Sequence, residues 1–227
     1  GQRGICLMLV SPEIGRVYAP EIQNQVGPMP MPLSQETFAE LRKKWLPSQS
    51  IDAASDPTIS FVGSLYEPRT SMLAVAEREL ALKGVKLQIF GRKLDEPKIR
   101  PEEYFRLLAQ SATVFTTADQ AYTADQTEYP IHLVYRYIEV LATGALLIAP
   151  AVSGAERYFS PGMHFLECPS IDVLIQDVPK ILSDEKQVSE IRERGRKQVS
   201  ALVAQNFFWR RVNEELRARG ITHLRNS

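Results

Sequence analysis

From residue 58 onward the sequence alternates short β-branched runs with stretches of helical period, and that alternation leaves few folds open. TISFVGS (58–64), VKLQIFG (85–91), ATVFTTA (112–118), ALLIAP (145–150) and HFLE (164–167) each read as a short strand. Between them SMLAVAERELALKG (71–84), PEEYFRLLAQS (101–111), HLVYRYIEVLATG (132–144) and SGAERYF (153–159) have helical spacing, with Gly84 past one helix end and Pro101 in the first turn of the next. The tail from Ser170 to Gly220 reads as helix in two or three pieces, with breaks expected near Ser183 and Asn206. Strand and helix in strict alternation imply parallel strands joined by crossovers, with helices on both faces. The expected fold is therefore α/β, a doubly wound, Rossmann-like parallel sheet over residues 56–227. Upstream, residues 1–55 hold one strand-like run, ICLMLV, a proline-rich connector and a helix capped by Ser34 in LSQETFAELRKKWL (33–46).

A doubly wound sheet binds its ligands beyond the carboxyl ends of the strands, where strand order reverses. Charge then narrows the ligand. Lysine plus arginine equals aspartate plus glutamate at 27 each, so no net field recruits nucleic acid or an anionic membrane, and a small ligand is the expected partner. The longest apolar run is interrupted by Thr143 and Gly144 and falls short of the roughly 20 residues a bilayer requires. The opening GQRGICLMLV lacks an initiator methionine and has too short an apolar core for a signal peptide, so a piece of a longer cytoplasmic chain is expected. Cys6 and Cys168 permit a disulfide without suggesting one, and no cysteine or histidine cluster has metal-ligand spacing.

Three strand ends carry candidate chemistry. In FVGSLYEPR, Gly63 and Ser64 close a strand and Arg69 opens the following helix, a pattern that suits a phosphate group or, equally, a tight turn with a solvated arginine. In IFGRKLDEP a second strand-ending glycine precedes Arg92 and Lys93. Neither loop has the G-x-G-x-x-G dinucleotide fingerprint or the G-x-x-x-x-G-K-[ST] phosphate loop. The third is the helix after the middle strand, where His132, Arg136, Glu139 and Thr143 fall on one stripe and apolar residues cover the other directions. One reading is an intrahelical Arg136–Glu139 surface pair worth about 0.3 kcal/mol. The other is a crevice lining, in which the carboxylate accepts from vicinal hydroxyls and the arginine meets a phosphate. His164 reads as a satisfied loop or core histidine, Phe207, Phe208 and Trp209 as a packing stripe, and RERGRK (192–197) as a solvated face.

Taken together, FVGSLYEPR, IFG, YFRLLAQSATVFTT, RYIEVLATGALLIAPAVSGAERYFSPGMHFLE and the helical tail resemble the C-terminal, nucleotide-sugar-binding half of a GT-B glycosyltransferase. The similarity covers about residues 57–216. It is closest to group-1-like transferases with an R-x-F-E-x-L-A-x-G helix, a group that includes spore-coat-associated members. The resemblance implies that Glu139 holds the donor ribose, that Arg136 lies near the diphosphate, that Gly63, Ser64 and Arg69 face the donor phosphates, and that Arg92 borders the base. His132 joins this set through the shared stripe. Many retaining relatives have a second glutamate eight residues before the ribose-binding one, where this chain has Ile131; Glu128 lies nearby at a different spacing.

The implied activity is transfer of a hexose-like sugar from a nucleoside diphosphate sugar to an acceptor hydroxyl on a glycan, lipid or protein. The resemblance points to no catalytic residue in this half of the fold. Without an Asp-x-Asp triplet, the expected mechanism is independent of metal and needs no cofactor beyond the donor substrate. Two alternatives stand beside it: a non-catalytic nucleotide-sugar-binding or scaffolding module, since residues 1–55 are too few for an acceptor lobe, and a sugar-nucleotide epimerase of similar architecture.

Overall fold

The protein is described by a computed structural model, which covers residues 7–8, 25–26, 34–45, 57–93, 95–117, 133–152 and 154–220. Two short parallel strands, β1 (Leu7–Met8) and β2 (Gln25–Val26), and helix α1 (Gln35–Trp45) come first. The alternating region follows as β3 (Thr58–Leu65), α2 (Arg69–Ala81), β4 (Lys86–Lys93), α3 (Pro101–Ala109), β5 (Thr113–Phe115), α4 (Arg136–Thr143), β6 (Leu146–Ala149) and β7 (Leu166–Glu167). Helices α5 (Ile171–Gln176), α6 (Val178–Leu182), α7 (Glu185–Ala204) and α8 (Phe207–Ala218) complete the chain.

The main sheet has the order β4-β3-β5-β6-β7, and every neighbouring pair is parallel. From β3 the chain steps outward to β4, returns to β5 on the other side and continues through β6 to β7. Strand order therefore reverses between β3 and β5, and in doubly wound sheets the carboxyl ends at such a reversal are where ligands bind.

The strands are apolar on both faces because helices cover both. Val62, Val114, Leu147 and Ala149 face one core, filled by Phe38 of α1, Leu107 and Leu108 of α3, the apolar side of α4, and the C-terminal half of α7. Ile59, Phe61, Phe115, Leu146 and Ile148 face the other, filled by Leu73, Ala76 and Leu80 of α2, by α5 and α6, and by Val188 and Ile191 at the start of α7. Helix α7 thus stitches both layers together. Each fully buried Leu, Ile or Phe in these layers contributes about 1.5–3 kcal/mol.

The tail differs from the sequence expectation by falling into four helices. Pro179 opens α6 directly after α5, Asp184 caps α7 by accepting from the Gln187 amide at 2.9 Å, and Asn206 turns the chain into α8 with φ of 51°. The described residues of SGAERYF, 154–159, make only a 3₁₀ turn, Ala155–Arg157. In the aromatic stripe Phe207 anchors α8 in the main core and Phe208 packs on Val212 and Leu216, whereas Trp209 is 56% exposed. The run RERGRK is a solvated face only in part: Arg194 and Lys197 are exposed, whereas Gly195 is buried and Arg192 donates from Nε to the Gly144 carbonyl at 2.9 Å. A Cβ on Gly195 would stand 2.6 Å from the His164 carbonyl oxygen and 2.7 Å from Leu141 Cδ2, so glycine is what lets α7 lie against α4.

Candidate functional site

Helix α4 begins at Arg136, one turn later than its sequence pattern suggests, and ends on Gly144 in the left-handed region at φ 79°. Leu133, before the helix, is buried. His132, Ile131 and Glu128 lie outside the described residues, so the expected four-residue stripe reduces to Arg136, Glu139 and Thr143. Thr143 turns back into its own helix, donating to the Val140 carbonyl at 2.8 Å. Arg136 and Glu139 remain, one turn apart, at the start of α4.

These two do not form the ion pair that their spacing allows. Tyr104, in the first turn of α3, stands between them. Its hydroxyl donates to Glu139 Oε2 at 2.5 Å and accepts from Arg136 Nε at 3.2 Å. Glu139 is only 7% exposed. Burial raises its carboxyl above the ordinary value, while the Tyr104 hydrogen bond and the Arg136 charge oppose that rise. Burial also raises the Tyr104 phenol far above its usual range, and the neighbouring carboxylate adds to this, so the hydroxyl keeps the proton it donates.

Arg136 extends from α4 over the end of β3. A Cβ on Gly63 would lie 2.9 Å from Arg136 Nη2, 3.2 Å from Nη1 and 3.3 Å from Phe61 Cζ. The space that Gly63 leaves open thus holds a guanidinium. Across the strand-order reversal, the β3–β5 register pairs Phe61 with Phe115, where β5 ends. Two residues on, Thr117 is 4% exposed, and its Oγ1 has no hydrogen-bond partner among the described residues. A buried hydroxyl without a partner is costly, and this one follows the carboxyl end of β5.

The other expected site residues take different positions. Both strands run past the glycines expected to end them: beyond Gly63, β3 makes two further pairs, Ser64 opposite Arg92 and Leu65 opposite Lys93 of β4. Arg69 opens α2 as expected but is 7% exposed and turned inward: Nη1 donates to the Ser64 carbonyl at 3.0 Å, and its guanidinium lies 4.2 Å from the Tyr66 ring centre. The N-terminal end of α2 already has an anion beside it, since Glu67 Oε2 accepts from the Ser71 hydroxyl at 2.6 Å. Arg92 donates from Nη1 to the carbonyls of Lys93 and Glu96, both at 3.0 Å, closing the loop after the edge strand. The structure therefore brings Gly63, Arg136 and Glu139 together, while Arg69 and Arg92 brace their own loops. His164 accepts from the Ser160 amide through Nδ1 at 2.8 Å, the satisfied loop histidine that its sequence context suggests.

Sequence reading missed Tyr104 and Thr117. A signal for the first existed, because a tyrosine on the apolar side of a helix has a hydroxyl that must find a partner. Among the described residues, no group of three or more His, Cys, Asp or Glu is arranged to hold a metal ion, and no helix is long and apolar enough to cross a membrane.

A five-stranded parallel sheet covered by helices on both faces, its strand order reversing between β3 and β5, defines a Rossmann-like α/β domain. Residues 69–208, more than half of the chain, match the glycosyl transferase-like family, and the chain belongs to that family. Among solved structures it is similar to sucrose-phosphate synthase from Thermosynechococcus elongatus, with a TM-score of 0.59 at 16% identity over 94% of this chain. It is also similar to a glycosyltransferase from Rickettsia africae ESF-5, with a TM-score of 0.56 at 15% identity over 99% of this chain. At these identities the likeness is one of fold, that of a group-1 GT-B glycosyltransferase domain. The chain spans 59% of the first of those proteins and 65% of the second, less than two thirds of either. No curated protein matches its sequence.

Proposed function

We propose that the β3–β5 crevice binds a nucleoside diphosphate sugar, and that the chain is the donor half of a transferase delivering that sugar to an acceptor hydroxyl. One observation carries this reading: a buried carboxylate, Glu139, and a guanidinium held over Gly63 near the carboxyl end of β3, that of Arg136, stand one helical turn apart. Carboxylate oxygens accept hydrogen bonds from a vicinal diol, the pattern that a ribose presents. A guanidinium offers planar paired donors that match phosphate oxygens.

In this arrangement Glu139 fixes the ribose, and the terminal nitrogens of Arg136 meet the diphosphate above Gly63. The Thr117 hydroxyl, just past the carboxyl end of β5, supplies a further donor to a phosphate oxygen. As the sugar–phosphate bond lengthens, negative charge grows on the departing diphosphate. The fixed guanidinium then stabilises the transition state more than the ground state. Acceptor recognition and deprotonation of its hydroxyl fall to groups outside this crevice.

Calorimetric titration with ADP, GDP, UDP and CDP tests the reading. At least one should bind, and Glu139→Gln should weaken it by about 1–3 kcal/mol without loss of stability. Binding of none of the four would refute donor recognition. Binding with neither hydrolysis nor transfer of the matching nucleotide sugar would favour the non-catalytic module.

A further inference from the structure

We propose that Tyr104 is the positioning residue of the donor site, its single hydroxyl fixing the ribose-facing carboxylate and the phosphate-facing guanidinium at once; this rests on the donor reading above. A phenol has one proton to donate and lone pairs to accept with. Tyr104 uses both, in opposite directions: the proton goes to Glu139 Oε2 at 2.5 Å, in the range of charge-assisted O–H···O⁻ bonds, and a lone pair receives Arg136 Nε at 3.2 Å.

Each partner keeps its ligand-binding groups. Arg136 commits Nε inward and leaves Nη1 and Nη2 over Gly63. Glu139 has about four lone-pair positions and gives one to Tyr104. The hydroxyl comes from a rigid place, since Tyr104 closes the first turn of α3 with its amide on the Arg100 carbonyl at 2.9 Å, and its ring packs edge-on to Phe105 at 5.4 Å. Burial keeps the phenol protonated, as a donor to carboxylate must be.

Arg136 and Glu139 are three residues apart on one helix, a spacing at which opposite charges pair. Tyr104 holds them from separate sides and so keeps them from neutralising each other. Without its hydroxyl the guanidinium is free to fall onto the carboxylate, leaving Gly63 uncovered and the ribose acceptor occupied. Among the described residues, the ionisable groups facing Glu139 are Tyr104 from α3, Arg136 of its own helix, and Tyr135 just before it.

The test is titration of the full 227-residue chain and of Tyr104→Phe, which keeps the ring and its packing. The ligands are whichever of ADP, GDP, UDP or CDP binds the wild type, and its 2′,3′-dideoxy counterpart. Tyr104→Phe should weaken the ribonucleotide about tenfold or more, bring the ribo-to-dideoxy affinity ratio close to one, and leave the melting temperature nearly unchanged. Wild-type or tighter affinity in Tyr104→Phe would overturn the proposal, and so would a uniform loss with the ratio intact, which is the pattern of a purely structural role. If the wild type itself binds none of the four nucleotides, the donor reading fails first and takes this proposal with it, a result distinct from the other two.

Discussion

Replacing Gly63 with alanine separates what the strand end does for folding from what it does for binding. The new Cβ would stand 2.9 Å from Arg136 Nη2 and 3.2 Å from Nη1, closer than the first contact can be held, and 3.3 Å from Cζ of the fully buried Phe61. Nη2 is the far end of a flexible side chain, so the guanidinium yields by changing rotamer, at a cost of about 0.5–1.5 kcal/mol. Phe61 gives by a few tenths of an ångström. Against this, alanine narrows the unfolded ensemble and returns about 0.4–1 kcal/mol. The net change in stability, measured by urea denaturation, should fall within about 1 kcal/mol of zero. Binding should respond differently, because displacing the guanidinium removes a charged contact to phosphate worth about 1.5–3 kcal/mol. At 1.4 kcal/mol per factor of ten, that is about a 10- to 150-fold rise in Kd for a nucleoside diphosphate by calorimetry. An unchanged Kd would refute the placement of Arg136 on phosphate, and a stability loss above about 3 kcal/mol would refute the claim that the guanidinium yields.

Thr117→Val removes a buried hydroxyl that has no partner among the described residues, so urea denaturation should find the variant about 1 kcal/mol more stable while calorimetry finds nucleotide affinity reduced. Gly195→Ala pushes a methyl against the His164 carbonyl and Leu141, and overpacking should cost about 1–3 kcal/mol in the same unfolding experiment. Burial raises the Glu139 carboxyl above its ordinary value of 4.5, so the folded chain holds that proton more tightly than the unfolded chain does. Stability should therefore decline as pH rises from that value through the folded one and stay lower beyond it; Glu139→Gln should flatten this slope in thermal melts across pH.

The strands were legible because a strand covered on both faces must be apolar nearly throughout, and TISFVGS and ALLIAP carry that mark without ambiguity. The reversal between β3 and β5 could be expected from the fold class, and with it the importance of Gly63. The direction of each guanidinium could not be expected. Arg69 and Arg92 come shortly after glycines near the strand ends, much as a phosphate-binding arginine would, yet each reaches a nearby backbone carbonyl, Ser64 for the first and Lys93 and Glu96 for the second, a choice set by local backbone geometry rather than residue type. The bridge through Tyr104 joins residues 35 apart on different helices, so no local period contains it. Sequence spacing alone pointed to an Arg136–Glu139 pair or a crevice lining, and only the hydroxyl between them decides against the pair. The solvated face expected at RERGRK holds for Arg194 and Lys197 and fails for a similar reason at the others: charge density suggested exposure, whereas Gly195 and the Arg192 bond to Gly144 mark a helix contact.

The most direct test of the account is the ratio of Kd values that the wild-type chain shows for a nucleoside diphosphate and for its 2′,3′-dideoxy analogue. If Glu139 grips the ribose hydroxyls, the dideoxy ligand should bind about tenfold or more weakly, in line with a lost hydrogen bond to a charged group. Equal affinity for the two ligands would contradict the assignment of Glu139 to the donor ribose.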